Sequence, residues 1–561
     1  MIRRSVRELE MDEHKEERYA LLKAWKAIKE LDPSDPNSFW TIASYHGEPY
    51  IPRQIRPFSD TDIPGWGGYC QHANVLFPVW HRYYVCRIEK ALQSIDPSVA
   101  MPYWDQTSPE SLSEGIPDLL LDFEVNIDDT KKIPNPLLSY TYQKDILSHQ
   151  GGEYYQKKAG SATVRYPLSA IQSPPIAKEK AEIHNAKMHN VYPGKNMNDA
   201  LNVNVIQALN EDIRDMYVSC LQAETYNLFS NTSTAQVLNE NMTVESPHND
   251  IHLAVGGFDM GGSHSGIIEG SNGDMGANET AGFDPIFFFH HCNVDRVFWI
   301  WQQMHDATDT IEIQFDPSDP GTTNTGQGPT PYQISGDTLD MNTLLYPYEN
   351  PDGGIYTGTA CVNIANLGFD YSKGSLTDIT ANRVKSVRLD EFKTDAEVSS
   401  FLEKEVTTLH TGETHKYFIN LAQFQNIDDF CASISSGEYK DRNYEILLKV
   451  ENIPRDRYPG SFIIKAYFIG GNEKKYIGKT CVLDRWHREN CKNCQNRRFA
   501  TATFKLHANS RSEHPKLDEY QVEVEYHTPD TGSTKIEIHN MHEVINGKIS
   551  GKFFLTAELN R

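Results

Sequence analysis

Residues 283–296, FDPIFFFHHCNVDR, bring a run of phenylalanines up to two adjacent histidines. Counted along a helix from His291, apolar side chains recur at Phe287, Val294, Phe298 and Trp301. His291 therefore belongs to the apolar stripe, and His290 falls on a different face. A second stretch, GYCQHANVLFPVWHRYYV at 68–85, has a similar shape. From His81 the same counting reaches Phe77, Tyr84, Ile88, Leu92 and Ile95. Laid over each other, F-P-V-W-H matches F-F-F-H-H, so His81 and His291 are equivalent. Two helices of a bundle each turn one histidine inward. One such ring alone reads first as a core histidine satisfied by a backbone carbonyl.

Further histidines change that reading. HNDIH places His248 and His252 four apart, stacked on one helical face. No glutamate follows His248, so the general base of a zinc protease is missing. YCQH brings His72 nine residues before His81, and SYHGEPY supplies His46. Two triads result: His46, His72 and His81, then His248, His252 and His291. Neutral imidazoles suit copper, zinc, iron or nickel. They add no negative charge, so a close pair of cations held by them favours the lower metal charge until an anion bridges it. A dicopper site that takes up dioxygen has that requirement. A di-zinc or di-iron hydrolase normally shows a bridging carboxylate, and none lies in these motifs.

The rest of the chain fits an enzyme of more than one domain. It has 561 residues, 39 % of them hydrophobic, and a formal net charge of −24. That charge argues against nucleic acid or an anionic membrane surface as partner. The start shows no apolar signal segment, and no apolar run is long enough to span a bilayer. The nine cysteines are sparse and odd in number, which reads as reduced thiols in a cytoplasmic protein. Residues 10–31 and 203–230 have helical spacing, and 305–335, rich in Gly, Thr and Pro, reads as loop. Beyond about residue 375 alternation takes over, as in YEILLKV, SFIIKAYFIGG, ATATFKLHA and EYQVEVEYH. The expected fold is a mainly α domain at 1–375, a four-helix bundle around the metals. A linker follows at 376–414, then a β-rich domain at 415–561, sandwich or barrel.

Together YHGEPY, the CQH…H of 70–81, HNDIH and FDPIFFFHHCNVDR resemble the type-3 copper family of tyrosinases, catechol oxidases and molluscan hemocyanins. The likeness spans most of 40–301 and is strongest to fungal-type tyrosinases with a β-rich C-terminal pro-domain. It implies that His46, His72 and His81 hold copper A, and that His248, His252 and His291 hold copper B. It implies a latent tyrosinase that uses dioxygen to hydroxylate monophenols and oxidise o-diphenols to o-quinones, with melanin biosynthesis as a setting. The alternatives within the likeness are a catechol or o-aminophenol oxidase, and a hemocyanin-like oxygen carrier. Small phenols are the implied substrates, the β domain the intramolecular lid, and homo-oligomerisation stays open.

The likeness extends to finer positions. Cys70, two residues before His72, is implied to form a thioether to that ring; the other reading is an ordinary buried thiol. Glu245 and Asn249, flanking His248, are implied to hold a water that takes the phenol proton, although an acidic first helical turn explains ESPH equally. Asn278 is implied to overhang copper A as a gate, and Phe287 and Phe288 to form an apolar wall. In the β domain, Cys491 and Cys494 are candidates for copper loading. With Cys481 and His487 they could instead build a structural zinc site. Tyr458, in VENIPRDRYPGSF, reads as the tip of a hairpin and is the candidate plug of the substrate pocket; the alternative is a surface turn aromatic.

Overall fold

The structure is a computed structural model. It describes residues 1–47, 68–147, 156–165, 168–191, 196–238, 242–256, 273–325, 330, 332–334, 336–379, 384–388, 414–420, 444–458, 460–470, 473–484, 498–506, 521–527, 534–540 and 551–560. The helices that matter for the site are α1 (Lys15–Glu30), α2 (Phe39–Ala43), α3 (Phe77–Gln93), α4 (Met197–Ala208), α5 (Arg214–Leu221), α6 (Thr232–Leu238), α7 (Glu245–Val255) and α8 (Ile286–Met304). Pro78 sits in the first turn of α3, where its missing N–H costs nothing. Both α3 and α8 are buried on nearly every face, as central helices must be. They pack along each other, with α1 against α3, α7 against α4, and α5 and α7 against α8.

The segment read as one helix at 203–230 is broken. A π-helical turn, Leu209–Ile213, joins α4 to α5, and a separate helix, Tyr226–Ser230, starts where the Thr225 side chain accepts from the Leu228 amide. The π turn carries Glu211 and Asp212, beside lysines of the β-rich part.

The C-terminal strands are β1 (Val384–Arg388), β2 (Thr414–Asn420), β3 (Tyr444–Pro454), β4 (Phe462–Gly470), β5 (Glu473–Val482), β6 (Phe499–Leu506), β7 (Gln521–His527), β8 (Thr534–Asn540) and β9 (Gly551–Asn560). They form a five-stranded sheet, β6-β3-β9-β2-β1, and a four-stranded sheet, β5-β4-β7-β8. Two departures from the sequence reading appear here. Within the expected linker, Val384–Arg388 is a strand paired parallel to β2; its charged VKSVR pattern hid it. The segment around Tyr458 is not a hairpin tip, because β3 and β4 belong to different sheets and the chain crosses between them through a short 3-10 turn at Arg455–Arg457.

Strand periodicity explains how the two parts meet. On β4 and β5 the cross-strand pairs Ile463–Cys481 and Lys465–Lys479 share one face. Ile463 and Cys481 pack on Leu253 of α7. The Ser461 hydroxyl donates to the Gly276 carbonyl at 3.2 Å. The β-rich part is therefore docked on the outer face of α7, the helix whose inner face carries His248 and His252.

Candidate metal centre

All six histidines of the two triads are buried, His72 at 8 % exposure being the least so. In the first triad the ring centroids of His46, His72 and His81 lie 5.1–5.8 Å apart. In the second, those of His248, His252 and His291 lie 4.5–5.5 Å apart. The triads face each other: His81 stacks on His291 at 4.6 Å, and His72 is 5.8 Å from His248.

Three of the rings are held from behind. The His81 Nδ1–H donates to the Phe77 carbonyl one turn earlier at 2.8 Å. The His252 Nδ1–H donates to the Met275 carbonyl at 2.8 Å, and His248 Nδ1 meets Asn249 Oδ1 at 3.0 Å. These bonds put the proton on Nδ1 and leave Nε2 with a lone pair. The His291 Nε2 then stands 3.2 Å from that of His248 and 3.3 Å from that of His252. Lone pairs converging at such distances repel unless a cation sits among them, and a metal with nitrogen ligands near 2.0–2.1 Å gives about this spacing. The His81 Nε2 is likewise buried without a hydrogen-bond partner. Burial lowers the His81 pKa to about 3 and that of His252 to about 4. It also holds His248 and His291 well below the ordinary imidazole value. At neutral pH these rings are uncharged and ready to ligate.

His46 follows α2, whose C-terminal carbonyls at Ile42 and Ala43 accept from the Tyr84 hydroxyl of α3 at 2.9 and 3.1 Å. Gly47 is required beside it: a Cβ there would lie 2.4 Å from the Glu279 carbonyl oxygen and 2.5 Å from that of Asn278. Asn278, half-buried, thus packs its main chain against Gly47, the neighbour of His46. At the far end of α7, a Cβ on Gly256 would lie 2.6 Å from Gly276, so only glycine lets the Asp274–Gly276 turn approach and present Met275 to His252. That turn is anchored by Asp274, which pairs with Lys157 and accepts from the Tyr142 hydroxyl and the Val164 amide.

His72 sits in a loop whose next residue, Ala73, has φ +53°. Glu245 fixes that loop. Its Oε1 accepts from the Ala73 amide at 2.8 Å, and its Oε2 from the Thr232 amide and hydroxyl at 2.9 and 2.8 Å. Gln71 adds a bond to Thr330 at 3.0 Å. Cys70 is buried, and its sulfur lies within 4.8 Å of a ring nitrogen of both His46 and His72. Phe287 touches the site, 3.9 Å from the His291 ring and 4.7 Å from that of His46. Phe288 does not share this place: its ring packs with Trp25, Phe39 and Tyr84 in the core behind.

Asn249 lines a cavity of about 50 Å³ together with Met216, Thr232 and Ser246, closed on the other side by Lys479, Cys481 and Thr501 of the β-rich part. The Cys481 thiol donates to Asp250 Oδ1 at 2.9 Å. His487, Cys491 and Cys494, on which the copper-loading and zinc readings depend, lie outside the described residues. Tyr458 is buried, and its ring stacks on Tyr526 at 4.9 Å and packs on Phe462 at 5.0 Å, all within the β-rich part. Periodicity did not announce Gln106, Lys157 or Asp274, because each reaches the site through a partner distant in sequence.

Comparisons with known proteins point the same way. The family model "common central domain of tyrosinase" matches residues 36–304. The chain is 36 % identical over 546 residues to a tyrosinase of Hahella sp., covering 90 % of this chain and 88 % of that protein. It is 32 % identical over 548 residues to a tyrosinase of Aspergillus oryzae, with the same coverage of 90 % and 88 %. Among solved structures, a tyrosinase from Burkholderia thailandensis at low pH superimposes with a TM-score of 0.72 at 36 % identity, over 96 % of this chain and 99 % of that one.

Proposed function

The chain belongs to the tyrosinase family, and on that footing we propose that it is a latent tyrosinase whose two histidine triads each hold one copper ion. His46, His72 and His81 take copper A; His248, His252 and His291 take copper B. The observation that carries the assignment is the convergence of three Nε2 atoms at 3.2–3.3 Å in a buried site, with protons fixed on the far nitrogens of His248 and His252. When bound, the copper pair supplies the reduction of dioxygen that drives ortho-hydroxylation of a monophenol and oxidation of the o-diphenol to an o-quinone.

The chain's own residues do the rest. Phe287 walls the rings on one side and keeps water from them. Asn249 orients His248 through its side-chain oxygen. A phenol, with a pKa near 10, must lose its proton before it can bind as phenolate. Glu245 and Asn249 provide for that: Thr232, bonded to Glu245, and Asn249 line the same cavity, which has room for water. At about 50 Å³ the cavity is far below the roughly 300–1,000 Å³ of ligand pockets. Strands β5 and β6 close it, which supports latency by the β-rich part acting as a lid.

The test is metal content and absorption after addition of hydrogen peroxide, together with turnover of L-tyrosine and L-DOPA before and after limited proteolysis. Two coppers per chain, and L-tyrosine hydroxylation that rises on cutting, are expected. A single metal per chain, or turnover of L-DOPA alone, would overturn the reading.

A further inference from the structure

Four imidazoles, not three, crowd the second triad. His290 joins His248, His252 and His291 in one buried group, each offering a ring nitrogen within 4.8 Å of the others. Its ring lies nearly parallel to that of His248, with centroids 5.3 Å apart and 19° between planes, and edge-on to His252 at 5.1 Å. A fourth ligand here would close the shell of a metal that must keep a position open for its reactants.

A buried amide stands against that outcome. Gln106 is fully buried. Its Oε1 accepts from the Tyr217 hydroxyl at 2.6 Å and from Asn293 Nδ2 at 3.2 Å. The oxygen is thereby committed, and the NH2 end meets His290 Nδ1 at 2.7 Å. Nδ1 must accept this bond. A neutral imidazole that accepts at Nδ1 carries its proton on Nε2 and has no lone pair left for a metal. His291, one residue on, has the opposite arrangement: its Nε2 faces the other two ligands.

We propose that Gln106 is a positioning residue that holds His290 as its Nε2–H tautomer, withholding it from copper B and leaving that ion three imidazoles and an open position. The inference rests on the ligand assignment above. It makes the first histidine of the HH pair a neighbour that packs on His248 but is barred from ligation by one hydrogen bond. Contacts outside the triads thus set coordination number as well as ligand orientation.

The intact chain, labelled with 15N-histidine, tests this by NMR of its imidazole nitrogens in the copper-free state, with His290→Phe assigning the signal. The wild type is expected to show the proton on Nε2. Gln106→Glu keeps an oxygen for Tyr217 and Asn293 but offers a carboxylate to His290, so the proton is expected to move to Nδ1. Gln106→Met, of similar size, removes the donor and is expected to give mixed tautomers. On copper loading, Gln106→Glu should keep its metal but lose tenfold or more of the absorption that hydrogen peroxide induces, and adding His290→Phe to it should restore that absorption. A wild type with copper bound but His290 protonated on Nδ1 overturns this inference alone. So does an absorption loss that His290→Phe fails to rescue, or tautomers unchanged in both Gln106 variants. A wild type that binds no copper overturns the ligand assignment and this inference with it.

Discussion

At Glu245 a single carboxylate ties the His72 loop, the start of α6 and the start of α7 together through three hydrogen bonds. All three partners are donors. Glu245→Gln puts an NH2 where one oxygen was, facing an N–H, and such an unmet buried donor costs about 1–3 kcal/mol. The variant should unfold at lower temperature and hold copper A less tightly, read by calorimetry and by copper retained against a chelator. Unchanged retention would show that Ala73 and Thr232 do not transmit position to His72. Cys70 allows a sharper test. If its sulfur joins the His72 ring, the S–H and a ring C–H are lost, two hydrogens in all, with dioxygen at the copper pair as the oxidant. The denatured peptide of the copper-loaded chain should then be lighter by two hydrogens and contain the cross-link. Cys70→Ser should show the full mass, and a full mass in the wild type would leave Cys70 a plain thiol. His81 and His291 were legible because helical period places them without knowledge of anything distant. Tyr458 was not, since its stacking on Tyr526 depends on which sheet each strand joins.

Helix α8 ties chemistry and stability into one element. One turn beyond His291, Asp295 binds Arg82 of α3 at 2.5 Å and Arg3 at 3.2 Å, and accepts from the Tyr371 hydroxyl at 2.5 Å. All of these groups but Tyr371 are fully or almost fully buried. Asp295→Ala leaves the Arg82 guanidinium without a carboxylate and Arg3 with Glu89 alone, and breaking a buried pair this way costs about 3–5 kcal/mol. The loss should appear as a clear drop in the denaturant midpoint at unchanged slope, with α3 and α8, and hence His81 and His291, losing register together. A midpoint shift below the scatter of surface variants would mean that Glu89, which also holds Arg3, carries the cluster instead. The DR of the motif could be read from the sequence as charge in a buried helix. Its partners could not, because Arg82 is 213 positions away and Arg3 is at the chain start. The break in the helix read at 203–230 has a similar cause. A π turn keeps the composition of a helix and changes only which backbone groups pair, so no periodicity reports it.

Across the whole molecule, the docking of the β-rich part on α7 depends on an arrangement that would be unfavourable in that part alone. Lys465 and Lys479 are direct cross-strand neighbours on a buried face, and like charges so placed repel. Glu211 of the π turn resolves this, 2.9 Å from Lys479 and 3.9 Å from Lys465, with Asp250 3.2 Å from Lys479. The alternation of β4 and β5 was plain in the sequence. Which face meets a helix was not, because an inward lysine looks the same as an outward one until its carboxylate is known. Lys479→Met should leave Asp250 and Glu211 short of their cation, loosen the lid, and raise L-tyrosine turnover of the uncut chain along with protease cleavage of 376–414. Turnover that stays at the wild-type level while cleavage speeds up would separate docking from latency. The same contact carries a pH dependence. Burial pushes the Asp212 carboxyl up to about 7, with Asp250, Glu211 and Asp215 adding to the rise and Lys479 opposing it. A carboxyl raised in the folded state binds its proton more tightly there than in the unfolded chain, whose value is near 3.9. Its stabilising contribution is therefore complete below about pH 4 and is lost as pH rises through about 7. Asp212→Asn removes that loss. Melting temperatures taken from pH 5 to 8 should fall less steeply in the variant than in the wild type, and parallel slopes would mean that another group sets the response.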